Sequence, residues 1–150
     1  MPAAKAFIDT GVLLHLLSAD AAKADRAEAT VRAGGRISVQ VLNEIAYVAR
    51  RKLAMPWAQL DGVLTLMRSL CGVEPLTVEM HERGRLLAQR YGLSIYDAMI
   101  VGAALVSGCE TLYSEDMHDG LLVDQQLRIY NPFAAPVLPA SSVHSPRLLP

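Results

Sequence analysis

Leu93-Ser94-Ile95-Tyr96-Asp97-Ala98-Met99-Ile100-Val101-Gly102-Ala103-Ala104-Leu105-Val106 is the stretch on which the reading of the fold turns. Ser94 caps a predicted helix over Ile95 to Val106, and Gly108 ends it. That helix is apolar on all sides, which makes it a buried helix. Its longest apolar run, Ala98 to Val106, is about nine residues, against the roughly 18 needed to span a membrane. A single ionisable acid, Asp97, stands in it.

Upstream, Thr77 caps a helix carrying Met80, Gly84, Leu87 and Tyr91, and Val73 to Leu76 is a candidate strand. Pro56 suits the first position of a helix running to about Leu70. Gln40 to Ala54 has the helical period, with Val41, Ile45 and Val48 as its apolar stripe. Ala3 to Ile8 and Arg36 to Val39 read as short strands separated by two helical stretches. Asp20 caps the second stretch, which has Ala21, Ala24, Ala27 and Val31 on one face, a Glu28–Arg32 pair on the other, and Gly34-Gly35 as its stop. Downstream, Thr111 to Ser114 and Leu127 to Tyr130 are the last strands. Short apolar strands alternating with helices predict an α/β fold of three layers, α/β/α, around a mainly parallel sheet. The predicted domain covers residues 1–133. Residues 134–150 hold Pro136, Pro139, Pro146 and Pro150 without a helical period and are expected to form a loosely ordered tail.

The chain has 150 residues, one domain's worth, and at 52% hydrophobic and 19% charged it is no disordered segment. Its 14 Lys and Arg against 15 Asp and Glu mean that any nucleic-acid contact comes from a local patch. Cys71 and Cys109 lack CxxC spacing and read as small buried hydrophobes in a reducing compartment. Met1 to Phe7 lacks the signature of a signal peptide, so the expected address is the cytoplasm, with no membrane involved.

Candidate chemistry lies in acids at costly places. A carboxylate on an all-apolar helix is penalised unless a pKa shift or a cation neutralises it, so Asp97 either serves a Ser94-x-x-Asp97 capping box or belongs to a site. Glu44 has Gln40, Val41, Tyr47 and Val48 on its face and no basic partner; a solvated glutamate is the alternative. Asp9 ends the first strand, where it could equally cap the next helix. Asp116 follows a strand, in a turn rich in Asp and Gly. In an open parallel sheet all four gather near the carboxyl edge, where such folds place their ligand crevice. Four carboxylates need a counter-charge, and oxygen-only ligands call for Mg²⁺ or Mn²⁺.

The motifs Phe7-Ile8-Asp9-Thr10, Ser38-Val39-Gln40-Val41-Leu42-Asn43-Glu44, Tyr96-Asp97-Ala98-Met99-Ile100, Leu112-Tyr113-Ser114-Glu115-Asp116-Met117-His118-Asp119-Gly120 and Ile129-Tyr130-Asn131-Pro132-Phe133 resemble, in this order, a PIN domain of the VapC toxin type. The resemblance implies a Mg²⁺- or Mn²⁺-dependent endoribonuclease, the toxin of a bacterial toxin–antitoxin pair, cutting by in-line attack that leaves a 5′-phosphate. It implies an acidic site of Asp9, Glu44, Asp97 and Asp116. In that site Asp9, Asp97 and Asp116 are the metal ligands and Glu44 orients the ion's water. Ser114 matches the family's Ser/Thr beside the fourth acid. Gly11 departs from the usual Asn or Ser and removes a side-chain hydrogen bond near the metal. The surplus apolarity is expected to serve a homodimer and a groove for the cognate antitoxin, with Trp57 either an antitoxin anchor or packed in the core or a dimer interface. The alternative is a PIN-like module that grips RNA or a partner without cleaving.

Rival phosphoryl-handling folds fail on absences. No lysine follows Lys52, neither GxGxxG nor GxxxxGK[ST] occurs, and His15, His81, His118 and His144 show no ligand spacing. Arg50, Arg51 and Lys52 are the candidate RNA-phosphate cluster, with Arg83, Arg85 and Arg90 a second charge run; a solvated face is the alternative for both.

Overall fold

The strands are short, two to four residues each, and the central one is wholly buried and apolar. The computed structural model describes residues 6–134. β1 (Ala6–Ile8) lies at the centre, parallel to β2 (Arg36–Ser38) on one side and to β4 (Thr111–Tyr113) on the other. β3 (Gly72–Glu74) extends the sheet beyond β2, and β6 (Leu127–Tyr130) extends it beyond β4, both parallel. β5 (Leu122–Val123) closes the edge antiparallel to β6, which makes the order β3-β2-β1-β4-β6-β5. The chain winds one way from β1 to β3 and the other way from β4. Right-handed crossovers running in opposite directions put helices on both faces, the expected α/β/α layering.

The helices are α1 (Thr10–Leu14), α2 (Ala21–Arg32), α3 (Val39–Arg51), α4 (Trp57–Leu70), α5 (Val78–Tyr91) and α6 (Ile95–Val106), with a short 3-10 turn at His15–Leu17. Their starts follow the capping residues. Asp20 accepts the backbone N–H groups of Ala22 and Lys23, Thr77 that of Met80, and Ser94 that of Asp97. α6 is the buried helix: Ala98 through Leu105 are all inside. α5 crosses it at two glycines, since a Cβ on Gly102 would stand 3.2 Å from the Gly84 nitrogen and from the Met80 carbonyl. Phe7, Ile8, Ile37, Ile100, Leu112 and Ile129 fill the core with no exposed surface. Both cysteines are buried and neither forms a disulfide.

Several boundaries differ from expectation. Ser38 caps α3 by accepting the Val41 N–H, so the helix starts at Val39 and the strand stops one residue sooner. α3 ends at Arg51, because Ala54 takes a positive φ of 50°. Pro56 is extended and caps α4 from outside instead of opening it. β3 is Gly72–Glu74, displaced towards the N-terminus. On α2, Ala27 and Val31 are buried but Ala21 is exposed, while the Glu28–Arg32 pair forms at 2.6 Å. β5 was not expected: its three-residue turn to β6, Asp124 to Gln126, takes positive φ at Asp124 and Gln125 without the glycine that usually marks such a hairpin. Trp57 is 59% exposed and so is not packed in the core. The expected start of β1 at Ala3 and nearly all of the 134–150 tail, His144 included, lie outside the described residues.

Candidate active site

The crevice of this sheet lies between β1 and β4, the neighbours from which the chain departs in opposite directions. Asp9 is the first residue beyond β1 and Ser114 the first beyond β4. The register pairs Ile8 with Tyr113, which sets these two side by side. Asp9 is only 5% exposed. Its Oδ1 accepts the backbone N–H of Thr10 at 2.7 Å, the helix-capping role open from sequence, and its Oδ2 accepts the Ser114 hydroxyl at 2.8 Å. Burial pushes the Asp9 carboxyl up to about 7; the two hydrogen bonds draw it down and the charges of Asp97 and Glu44 push it up again.

Glu44 reaches the same place from α3. Its Oε1 accepts the Thr10 hydroxyl at 2.6 Å and its Oε2 the Gln40 side-chain amide at 2.7 Å. Asp97 sits in the first turn of α6, where its N–H donates to Ser94 Oγ at 3.1 Å, the N-cap half of the expected capping box. Its half-buried carboxyl is raised first by desolvation and then by Glu44 and Asp116. Asp116 is exposed in the loop after β4, and a Cβ built on Gly11 would lie 3.6 Å from its Oδ2. All four expected acids, Asp9, Glu44, Asp97 and Asp116, line one cleft of about 800 Å³.

Glu115, next to Asp116 in sequence, turns away. It bonds to His15 Nε2 at 2.6 Å and to Lys23 Nζ at 3.0 Å, and these bonds outweigh its burial and hold its carboxyl below the usual glutamate value. The expected basic cluster also divides. Lys52 lines the cleft, whereas Arg50 donates to the Met55 carbonyl at 2.8 Å and lies over the Trp57 ring. Arg83 and Arg90 both face Asp124, and Arg85 pairs with Glu82. Thr10 carries a positioning role that no local pattern signalled, since its bond to Glu44 spans 34 residues.

Among the described residues, no three His, Cys, Asp or Glu side chains are drawn together as a ready-made ion cage. The donor set nonetheless fits a hard divalent cation. It is all oxygen, none of the four acids is ion-paired to a base among the described residues, and after burial the charges of neighbouring acids raise Asp9 (Asp97 and Glu44) and Asp97 (Glu44 and Asp116) further. Mg²⁺ keeps several waters and needs only one or two carboxylates from the protein.

Fold and site thus define an α/β protein with an acid-lined crevice at the point where its sheet reverses direction. The chain belongs to the PIN domain family, which matches residues 6–118 and so takes in all four acids. Solved structures of similar fold include a toxin–antitoxin complex from Klebsiella pneumoniae, with a TM-score of 0.66 and 20% identity, covering 87% of this chain and 99% of that one. VapC20 of Mycobacterium tuberculosis, a sarcin-ricin loop cleaving toxin, has a TM-score of 0.61 and 19% identity, covering 74% and 89%. VapBC2 from Rickettsia felis, bound to a DNA fragment from their promoter, has a TM-score of 0.59 and 16% identity, covering 84% and 97%. At these identities the likeness is one of fold. No curated protein matches the chain by sequence.

Proposed function

We propose that the chain is a Mg²⁺- or Mn²⁺-dependent endoribonuclease, the toxin of a bacterial toxin–antitoxin pair working in the cytoplasm. The observation that carries this reading is the convergence of Asp9, Glu44, Asp97 and Asp116 on one cleft with no basic residue among the described ones paired to any of them. Asp9, Asp97 and Asp116 are the residues that would hold the ion. When bound, such an ion activates water and screens the phosphate and the leaving oxygen.

The chain's own residues prepare that chemistry. Ser114 and the Thr10 N–H aim the Asp9 carboxylate and lower the cost of ionising it in a buried place. Thr10 and Gln40 hold both oxygens of Glu44, which leaves the carboxylate oriented to take a hydrogen bond from the attacking water. Membership of the PIN family and the toxin–antitoxin structures of similar fold support an antitoxin partner. Exposed Trp57, Leu66, Leu70, Leu76 and Val78 supply apolar surface for that partner and for a homodimer.

The test is purified, antitoxin-free protein incubated with structured RNA and Mg²⁺ or Mn²⁺, beside EDTA and Asp9→Asn controls. Cleavage abolished by both controls is expected. Metal-independent RNA binding with no cleavage would instead assign a gripping module, the reading that Gly11 favours. Sedimentation at high concentration tests the homodimer, which a lone monomer would exclude.

A further inference from the structure

The walls of the cleft are not those of a site that holds RNA by its phosphates. Four acids face it, and among the described residues Lys52 is the single basic one lining it. Neutralising one phosphate yields a salt dependence of only about 0.7 log unit per log of salt on a single strand. Beyond what a bound ion supplies at the scissile phosphate, something other than side-chain charge has to hold the strand.

Two large aromatic rings rim the same cleft. Tyr47 on α3 is 60% exposed and Tyr96, beside Asp97 on α6, is 64% exposed. Tyr47 is braced by the Arg51 guanidinium, 5.6 Å from its ring centre, so the ring is steadied without being buried. Asn43 and Tyr47, one turn apart on α3, line the cleft, and Lys52, just past the helix's end and about 12 Å along its axis from Glu44 at 1.5 Å per residue, lines it too. The exposed amide of Asn43 carries both a donor and an acceptor and is committed to no bond among the described residues.

We propose that α3 is the RNA-reading helix of this site: an unpaired strand lies along it with one base stacked on Tyr47, its edge met by Asn43, its phosphate by Lys52, and a neighbouring base on Tyr96. This rests on the endoribonuclease reading above. A duplex cannot use these groups, because its bases are already stacked and it presents chiefly phosphates and 2′-hydroxyls. Base–aromatic stacking suits an acid-walled cleft, since every base offers a π-face whatever the local charge.

The experiment uses the full chain and a fluorescent 12-nucleotide RNA of mixed sequence, single-stranded or annealed to its complement, in EDTA so that binding is read apart from cleavage. The single strand is expected to bind more tightly than the duplex. Tyr47→Leu and Tyr96→Leu should each weaken it by about 5- to 150-fold, the range for losing one stacked base. Tyr47→Phe, which keeps the ring, should stay near the parent protein, and Lys52→Met should flatten the salt dependence by about 0.7. Both tyrosines are exposed, and matching thermal melts establish that the variants fold. Equal binding by Tyr47→Leu and the parent, a Phe variant as weak as the Leu variant, duplex binding as tight as single-strand binding, or no RNA binding at all would each overturn the proposal. Cleavage of the same RNA in Mg²⁺ is scored separately. Cleavage that ignores both tyrosines removes the α3 track and leaves the nuclease, whereas tyrosine-dependent binding without cleavage does the reverse.

Discussion

Asp9 makes the stability of the metal-free protein depend on pH in an unusual direction. Its carboxyl is raised from the ordinary 3.8 to about 7, mainly by burial. Between those values the folded state holds a proton that the unfolded chain has released, so the contribution is complete below 3.8 and is lost as pH rises through about 7. At about 1.4 kcal/mol for each tenfold in the ionisation constant, the whole rise corresponds to about 4 kcal/mol, of which about 2 kcal/mol falls between pH 5 and pH 7. At 5% exposed the group has little solvent screening to reduce that figure. Asp9→Asn is neutral at every pH, and its amide can still accept from Thr10 and donate to the Ser114 hydroxyl. Urea unfolding in EDTA, at steps from pH 5 to pH 8, compares the two proteins; other titrating groups are common to both and cancel. The midpoint of Asp9→Asn should gain on the parent by roughly 1–2 M urea across that range, given 1–3 kcal/mol per molar for small proteins. Adding Mn²⁺ at pH 8 should stabilise the parent more than the variant, since only the parent offers the Asp9 charge. Parallel midpoints across the whole pH range would refute the account of a buried, repelled carboxyl.

Three further outcomes follow from contacts around the same site. Ser114→Ala removes the hydroxyl that Asp9 Oδ2 accepts; it should cost about 2 kcal/mol at pH 8 and extend the pH-dependent loss to higher pH, read by the same urea series. Thr10→Val should cost about 1 kcal/mol and, by releasing Glu44, lower the cleavage rate more than RNA binding, read as a kcat loss with KM little changed. Gly102→Ala places a Cβ 3.2 Å from the backbone of α5 and should destabilise by about 1–3 kcal/mol in thermal or urea unfolding, because backbone at such a crossing cannot yield like a side chain.

Most of the elements were legible because their signals are local. Ser94, Thr77 and Asp20 cap within three residues, and the all-apolar face of α6 announces burial without reference to any partner. The errors were local too, where two local rules compete. Ser38 both ends a strand and caps a helix, Pro56 suits a cap as well as a first position, and the Asp124-Gln125 turn reverses the chain without glycine. The basic run at residues 50–52 read as one patch, yet successive helical residues point about 100° apart. Arg50 therefore goes to the Trp57 corner, while Lys52 goes to the cleft.

By itself the sequence determined that acids stand at the carboxyl ends of the first and fourth strands and in the opening turns of two helices, since strand ends and caps are written within a few residues. Only the tertiary structure decided what those acids do together. Pairing of β1 with β4 in the register Ile8 to Tyr113 sets Ser114 against Asp9 across 105 residues, and the same fold carries Thr10 to Glu44 across 34. It also decided between Glu115 and Asp116, adjacent in the chain, sending one to His15 and Lys23 and the other into the cleft. No local pattern encodes such choices, because sheet register and helix packing follow from the whole core, and the hydrogen bonds that orient and tune the carboxylates form only once that core has closed.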